Sequence, residues 1–200
     1  MTLPLREKRR QETALLIQRA TLELAKENGL DAVTTDAIAA ASGVSTRTFF
    51  NYYANKEAAA IGHPPTFTQA QMDALRTGSG PLAADLKQFL DSHMEALSER
   101  EDIVRLVGTV LRSNDKARGI LEGLLGAERH VLAEALCARV NDRQTAASLA
   151  NAVTSAIGSA IFLWQNEENK ALGDVLDIVW EGLIDASRLL SSETNGEPRS

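Results

Sequence analysis

Apolar residues recur every three or four positions along most of the chain, and the breaks between these stretches are polar or rich in glycine and proline. Residues three and four apart share one face of a helix, so this spacing predicts α-helices. The first predicted helix covers 8–28 and is followed by Gly29, a typical C-terminal stop. No stretch alternates apolar and polar residues over the length of a strand. The pattern therefore predicts an all-α protein.

Three short helices are predicted after the first one. Thr34 or Thr35 is a suitable N-cap for a helix that stops at Gly43. Ser45 caps the next helix, which runs through the sequence TRTFFNYY, and Asn55 caps a last short helix that ends at the sequence GHPP. Because Gly43 can adopt the positive φ of a tight turn, the first two of these helices are predicted to form a helix-turn-helix.

The rest of the chain is predicted to be helical as well. Helices are expected over 67–75, 82–97, 103–111, 120–136, 143–166 and 172–190. The end of the chain, SSETNGEPRS, is polar and typical of disorder. Three regions are therefore predicted: a three-helix helix-turn-helix domain at 8–60, a second helical domain at 61–192 and a disordered tail at 193–200.

The net charge of −6 argues against nucleic acid as a partner, because a polyanion would be repelled at long range. The average hides an asymmetry. Residues 1–60 contain eight Lys/Arg and seven Asp/Glu, a net charge of +1, whereas residues 61–200 contain thirteen and twenty, a net charge of −7. The first ten residues hold four basic side chains against Glu7 alone: Arg6, Lys8, Arg9 and Arg10. This basic end fits a nucleic-acid contact and a solvated terminus equally well.

Several classes of protein and site are disfavoured by the sequence. No signal peptide is recognised, and the apolar runs are interrupted before the ~20 residues needed to span a bilayer, so a cytoplasmic protein without a membrane partner is expected. Cys137 is interpreted as an inert buried thiol. His63, His93 and His130 are widely spaced and belong to no local carboxylate or thiol cluster of ligand spacing, so neither a metal nor another cofactor is predicted. No nucleophile elbow, phosphate loop or catalytic carboxylate pair supports an enzyme.

The third predicted helix carries side chains suited to reading DNA. With Ser45 as cap, the first turn holds Thr46, Arg47 and Thr48, and this part of a recognition helix faces base edges in the major groove. The Arg47 guanidinium can donate two hydrogen bonds to guanine, a contact that discriminates by about 1–3 kcal/mol. Phe49 is expected to turn into the core.

Residues further along the same helix, Phe50, Asn51 and Tyr52, are candidates for contacts with the sugar-phosphate backbone or with neighbouring helices. Lys56 stands at the N-terminus of the following helix, where its charge adds to amides already suited to phosphate. For the two threonines of the first turn, the alternative is a solvated helix surface. Tyr53 is expected to pack against the first helix.

The segment TTDAIAAASGVSTRTFFNYYANKE resembles the N-terminal DNA-binding domain of the tetracycline-repressor (TetR) family of transcriptional regulators. The similarity covers roughly residues 10–60. Its motif consists of Thr35, Ile38-Ala39, Gly43-Val44-Ser45, Phe49-Phe50, Tyr52-Tyr53 and Lys56-Glu57.

The resemblance implies base contacts from the first turn of the third helix, that is, from Thr46, Arg47 and Thr48. It implies phosphate contacts from Thr35, Tyr52 and Lys56. Two residues depart from the usual pattern of the family. Phe50 stands where a tyrosine is common, so that hydroxyl is missing, and Arg47 replaces a small residue, which implies a distinctive operator sequence.

For the second domain, the resemblance implies effector binding and dimerisation through the last two helices. A helix-turn-helix monomer covers one half-site, so a homodimer would read the two half-sites of a palindromic operator, about 34–36 Å apart or a multiple of it. The alternative is that both helices lie at the centre of a monomer. The candidate dimer interface follows the apolar stripes of the two helices: Leu149, Val153, Ile157, Ile161, Trp164, Leu176, Val179, Trp180 and Leu183.

The middle helices are the candidate site for an effector, although an apolar stripe is more often a filled core than a pocket. The pocket would be lined by Phe67, Met72, Phe89, His93, Met94 and Leu111. The function that follows is a dimeric, small-molecule-responsive regulator, with repression relieved by a small hydrophobic or amphipathic effector. The alternative is a helix-turn-helix protein-interaction module without specific DNA binding.

Overall fold

A computed structural model of the protein describes residues 4–167 and 170–194. All regular structure in these ranges is helical, so the prediction of an all-α protein is confirmed. The elements are α1 (Leu5–Asn28), a 3-10 turn (Leu30–Ala32), α2 (Thr35–Ala41), α3 (Thr46–Tyr52), α4 (Lys56–Ile61), α5 (Gln69–Thr77), α6 (Leu82–Ser98), α7 (Glu101–Ser113), α8 (Asp115–Val140), α9 (Arg143–Asn166) and α10 (Leu172–Thr194).

The three predicted N-caps of the short helices are confirmed. The side chains of Thr34, Ser45 and Asn55 accept hydrogen bonds from backbone amides three residues later, at 3.2, 3.0 and 2.8 Å. Each bond satisfies one amide that the helix itself leaves unpaired. Gly43 has a φ of 70°, the left-handed conformation expected for the turn between α2 and α3.

Some helix ends differ from the predicted ones. α5 begins at Gln69 because Thr68 forms a capping box with Gln71, which leaves Phe67 outside the helix that it was predicted to start. α1 begins at Leu5, three residues earlier than expected. α10 continues to Thr194, two residues into the segment predicted as a disordered tail, and residues 195–200 of that tail lie outside the described ranges.

Two compact units are formed by the chain. Unit 1 consists of the described part of Met1–Pro64 together with Arg100–Leu125, and unit 2 consists of Pro65–Glu99 and the described part of Gly126–Ser200. Residues 100–125 therefore pack with the N-terminal helices, chiefly because α7 lies against α1 and α4. The predicted boundary between residues 60 and 61 would instead have placed residues 100–125 in the second domain.

Unit 1 contains two hydrophobic clusters. Ile17, Ile38 and Phe49 are fully buried in the first cluster, which fastens α2 and α3 to α1. Leu22 and Ile103 belong to the second cluster, which joins α1 to α7. Truncating a buried phenylalanine to alanine costs about 3–5 kcal/mol, so the side chain of Phe49 fixes the position of α3 strongly.

Unit 2 is built around α6, α9 and α10. α9 packs along α10, and both contact α6, while α5 covers another side of α6. Trp164, Leu90 and Leu176 are among the largest side chains that are completely buried there. The described part of this unit therefore has a large, well-filled core.

α9 is long and apolar enough to cross a membrane, with a mean hydropathy of 1.5 over 18 residues, although the sequence was expected to contain no such run. One third of that window, 33%, is buried inside the protein. Its exposed positions include Asn151, Ser155 and Ser159, which are polar. A core helix of a soluble protein meets the same criteria, so this helix by itself does not indicate a membrane.

Candidate nucleic-acid interface

The first turn of α3 lies on the surface of unit 1 and is held from both of its ends. Ser45 caps the helix at the start, and the buried ring of Phe49 anchors it one turn later, as the sequence predicts. Arg47, between these two points, is exposed. The backbone of the turn is thus fixed while the guanidinium reaches into solvent, the arrangement required of a group that reads bases.

The two threonines of this turn hold intramolecular partners. Thr46 Oγ1 donates to Asp36 Oδ1 at 2.6 Å, and Thr48 Oγ1 and Ser45 Oγ are 2.8 Å apart. Asp36 lies in the first turn of α2, so the first bond ties α2 to α3. A hydroxyl that donates to a carboxylate keeps lone pairs as acceptors but has used its donor. Sequence reasoning assigned both threonines to base contacts and did not connect Thr46 with Asp36.

Tyr52, at the C-terminal end of α3, is half-buried, whereas Asn51 is exposed. The guanidinium carbon of Arg10 lies 5.5 Å from the centre of the Tyr52 ring, so α1 contributes a cation to the predicted phosphate-binding side of α3. Phe50 is 52% exposed, and its ring meets Phe49 edge-on at 5.2 Å.

Tyr53 packs against α1, as expected from the sequence. Its hydroxyl donates to the carbonyl oxygen of Ala14 at 3.1 Å, and burial raises the pKa of the phenol to about 12. Because Tyr53 follows α3 directly, this bond fixes the distance between α1 and the end of the recognition helix.

Lys56 was predicted to bind phosphate, and it has partners within the protein. Its ammonium donates to the carbonyl oxygens of Asp31 and Val33 at 2.8 and 3.0 Å. These bonds hold the segment before α2 against the start of α4. An ammonium has three donors, so a third remains for phosphate. Thr35, the other phosphate candidate of this region, is half-buried at the first position of α2.

The start of α8 carries two polar contacts to this region that sequence reasoning missed. Asn114 donates to Asp31 Oδ1 at 2.9 Å, and its own side-chain oxygen accepts from the amide of Ala117 at 2.8 Å. Lys116 Nζ lies 3.2 Å from Glu57 Oε2, near enough for an ion pair but not aligned as a hydrogen bond. Glu57 is buried and Lys116 is exposed. The partners lie 83 and 59 positions apart in the sequence, so no local pattern could reveal them.

Residues 17–58 match the model of the bacterial regulatory proteins of the tetR family. The match covers the helix-turn-helix and the C-terminal half of α1. The resemblance inferred from the helix-turn-helix motif is thereby confirmed for this part of the chain. No curated protein sequence matches the chain significantly.

Three solved regulator structures share the fold of the chain. FadR of Bacillus subtilis, in complex with stearoyl-CoA, is 18% identical, with a TM-score of 0.55 over 84% of this chain and 96% of its own. FadR of Thermus thermophilus, a TetR-family repressor in complex with lauroyl-CoA, is 20% identical, with a TM-score of 0.50 over 86% and 93%. The fatty acid degradation regulator FadR of Bacillus halodurans is 19% identical, with a TM-score of 0.50 over 86% and 94%.

The structure corrects four members of the candidate dimer interface. Val153, Ile157, Trp164 and Leu176 are buried within unit 2 of a single chain, so they have no surface left for a partner. The other five are half-buried: Leu149, Ile161, Val179, Trp180 and Leu183. Large apolar side chains are also exposed at positions outside the candidate interface: Phe162, Ile178, Leu189 and Leu190.

Five of the six candidate effector residues lie in unit 2, and three of them are shown in contact. The ring of Phe67 lies 4.6 Å from that of Phe89 and 4.9 Å from that of His93. Met72 and Met94 are buried in the same unit. Leu111 is the exception, because it lies in unit 1 against the cluster around Leu22. It therefore packs with a different set of side chains from those proposed to line the pocket.

A half-open groove of about 260 Å³ lies between α5 and α6. Only Phe89 of the candidate effector residues reaches it. One end is braced by Arg139, which donates to Asp85 at 2.7 Å and to the carbonyl oxygen of Gly80 at 2.6 Å. The groove is lined by Ala70, Gln71, Ala74, Leu75, Asp85, Gln88, Phe89 and Ser92.

His93 sits beside this groove on the buried side of α6. Burial lowers the pKa of its imidazole to about 4, so the ring is neutral at pH 7. Cys137 is half-buried. Within residues 4–167 and 170–194, no three His, Cys, Asp or Glu side chains are grouped so that they could hold a metal ion.

Proposed function

We propose that the protein is a DNA-binding transcriptional regulator that acts as a homodimer and represses from a palindromic operator. A small hydrophobic or amphipathic effector releases it. The observation that carries this proposal is the exposed Arg47 on a capped and anchored first turn of α3, within the segment that matches the tetR family model. A fixed backbone with one projecting guanidinium favours direct readout of guanine.

The residues of this domain have distinct roles in the proposed complex with DNA. Arg47 reads bases, and Thr46 and Thr48 contribute as acceptors. Thr35, Asn51, Tyr52 and Lys56 bind the phosphate backbone and set the register of the helix in the groove.

Dimerisation is supported by the exposed apolar residues of unit 2. Phe162 and Leu190 are 70% and 72% exposed, and Ile178 and Leu189 add to the apolar surface of α10. Exposed side chains of this size in such number are typical of a surface that binds another protein. A second copy is the partner that also supplies a second recognition helix.

An effector with an acyl chain is supported by the fold neighbours that bind lauroyl-CoA and stearoyl-CoA. At about 260 Å³, the groove of unit 2 is smaller than the ~300–1,000 Å³ of usual ligand pockets. Binding therefore requires α5 to move away from α6 or Phe67 to leave its place. Either movement stabilises one conformation at the expense of another, which is the requirement for control by a ligand.

The proposal is tested by selecting duplexes from a random pool with the purified protein and measuring their affinities. The wild type should enrich one palindromic sequence and bind it as a dimer. Arg47→Ala should lose about 1–3 kcal/mol of discrimination against changes at one base pair of each half-site. Lys26→Ala, which removes an exposed charge at the far end of α1, is the matched control and should retain the discrimination.

Equal affinity of wild type and Arg47→Ala for all duplexes would refute the proposed readout. Lauroyl-CoA and stearoyl-CoA are the first probes for release of the operator, with coenzyme A alone as the control. If neither acyl-CoA releases the protein from its operator, acyl-CoA is refuted as the effector class. The proposal that the protein binds DNA is unaffected by this result.

A second candidate function is a helix-turn-helix module that binds protein. The observation that favours it is the 52% exposure of Phe50 on the recognition helix. Binding to duplex DNA that weakens steeply with salt separates the two functions, because a protein partner would not release condensed counterions.

A further inference from the structure

We propose that the first two turns of α1 form part of the DNA interface, with Arg6 and Arg10 binding the phosphate backbone beside the recognition helix. This inference rests on the proposed DNA-binding function. It extends the interface to a segment outside residues 17–58, the part of the chain that matches the family model.

The basic N-terminal residues belong to an ordered helix. α1 begins at Leu5, and the amides of Glu7 and Lys8 donate to the carbonyl oxygen of Pro4 at 2.9 and 3.1 Å. The side chains of Arg6 and Arg10 therefore project from a defined backbone. A solvated, frayed terminus, the other interpretation of this charge cluster, is disfavoured by these bonds.

Arg10 is placed next to the predicted DNA-facing side of α3. Its guanidinium carbon lies 5.5 Å from the centre of the Tyr52 ring. Tyr52 and Thr48 are four residues apart and share one face of α3, so the surface formed by these two residues continues onto α1. The position of α1 is fixed nearby, because Tyr53 donates to the carbonyl oxygen of Ala14.

Arg6 lies on the same face of α1 as Arg10. Four residues correspond to a rotation of about 40° and a rise of about 6 Å, so the two guanidinium groups follow each other along the helix. Lys8 is rotated by about 200° from Arg10 and points to the opposite side. The two arginines thus form a row that prolongs the surface of Thr48 and Tyr52.

The position of the Arg10 guanidinium favours phosphate as its partner. A cation–π contact with the Tyr52 ring uses the charge of the guanidinium and none of its N–H donors in a conventional hydrogen bond, so these donors can match the oxygens of a phosphate. Arg10 is exposed, so these donors can reach a partner. A protein of net charge −6 also needs local positive charge where it meets DNA.

The inference is tested by measuring the affinity of the full chain for its selected duplex over a range of salt concentrations. Arg6→Ala and Arg10→Ala should each weaken binding about tenfold or more, since each removes one charged hydrogen bond from both subunits. Each should also reduce the slope of log K against log salt by about 0.9 per subunit. The matched control is Lys8→Ala, which removes the same charge two residues away on the opposite face.

Arg10→Lys separates the charge from the planar donor set of the guanidinium. It should keep the salt slope of the wild type, because the ammonium still binds phosphate, and it should bind less tightly, because an ammonium lacks the planar donors that match two phosphate oxygens. Unchanged thermal unfolding of all variants shows that the losses do not arise from the fold of unit 1.

The inference is overturned if Arg6→Ala and Arg10→Ala behave like Lys8→Ala while the wild type binds its duplex specifically and Arg47→Ala loses discrimination. In that case the proposed function stands without it. If the wild type shows no salt-sensitive binding to any duplex, the proposed function and this inference both fail.

Discussion

His93 is 8% exposed on α6, with its ring 4.9 Å from that of Phe67. Burial disfavours the imidazolium and lowers the pKa of His93 to about 4, from 6.5 in the unfolded chain. The perturbation to apply is therefore acidification. Between pH 6.5 and pH 4, His93 is protonated in the unfolded chain and neutral in the folded chain, so the free energy of unfolding falls as the pH decreases towards 4.

The magnitude follows from the two pKa values. The difference between 6.5 and about 4 corresponds to about 3 kcal/mol of unfolding free energy when the pH is below both values. At pH 5 about 2 kcal/mol of this should already be lost relative to pH 7.5. Above pH 6.5 the contribution of His93 is complete and independent of pH.

The assay is urea unfolding of the wild type and of His93→Leu at pH 7.5 and pH 5, at one fixed protein concentration. Leucine does not titrate, so the variant should lose about 2 kcal/mol less than the wild type on acidification, whatever its stability at pH 7.5. The side chain of His130 is 76% exposed, so His130→Gln is the control for removing a histidine that is not buried. Its free energy of unfolding should fall between pH 7.5 and pH 5 by the same amount as that of the wild type. An NMR titration midpoint of His93 near 6.5, or equal losses in wild type and His93→Leu, would refute the reasoning.

The remaining predictions concern unit 1. Tyr53→Phe should reduce the free energy of unfolding by about 1 kcal/mol, since it removes the hydroxyl that satisfies a buried carbonyl of α1, whereas Tyr52→Phe should change it little; urea titration of both variants decides the matter. The absorbance at 295 nm should show one of the two tyrosines ionising only near pH 12. Asn114→Ala should reduce the free energy of unfolding by about 1–2 kcal/mol, because Asp31 and the first turn of α8 both lose a hydrogen-bond partner. Ser113→Ala, at an exposed neighbouring position, is the control. Equal thermal stability of these two variants would contradict the proposed importance of the Asn114 hydrogen bonds.

Local interactions explain why the sequence predicted the helices so well. A cap such as Ser45 bonds to an amide three residues away, and the stop at Gly29 depends on the φ of one residue, 77°. Such features depend on neighbours along the chain. The bounds of α9 were predicted to the residue for the same reason, since Asp142 caps its start by accepting from the amide of Thr145.

The sequence also determined which residues of α3 face inward. Phe49 and Tyr53 are four positions apart and share a face, so the burial of both follows from helical spacing. The TetR motif could be recognised for the same reason, because its residues lie within one continuous segment. The last two helices each have more than one apolar face. For them, helical spacing did not predict which face the rest of the chain would cover.

Only the tertiary structure decided that question. Trp164 and Leu176 face the core of unit 2, whereas Phe162 faces solvent, because packing against other helices selects one face from several apolar ones. The structure likewise put Leu111 in unit 1 and placed Arg10 over Tyr52, 42 positions later in the sequence. A chain's local pattern determines helices and their caps, but contacts between distant residues depend on how the helices pack. The contacts that α1 and the start of α8 make with the short helices are of this second kind.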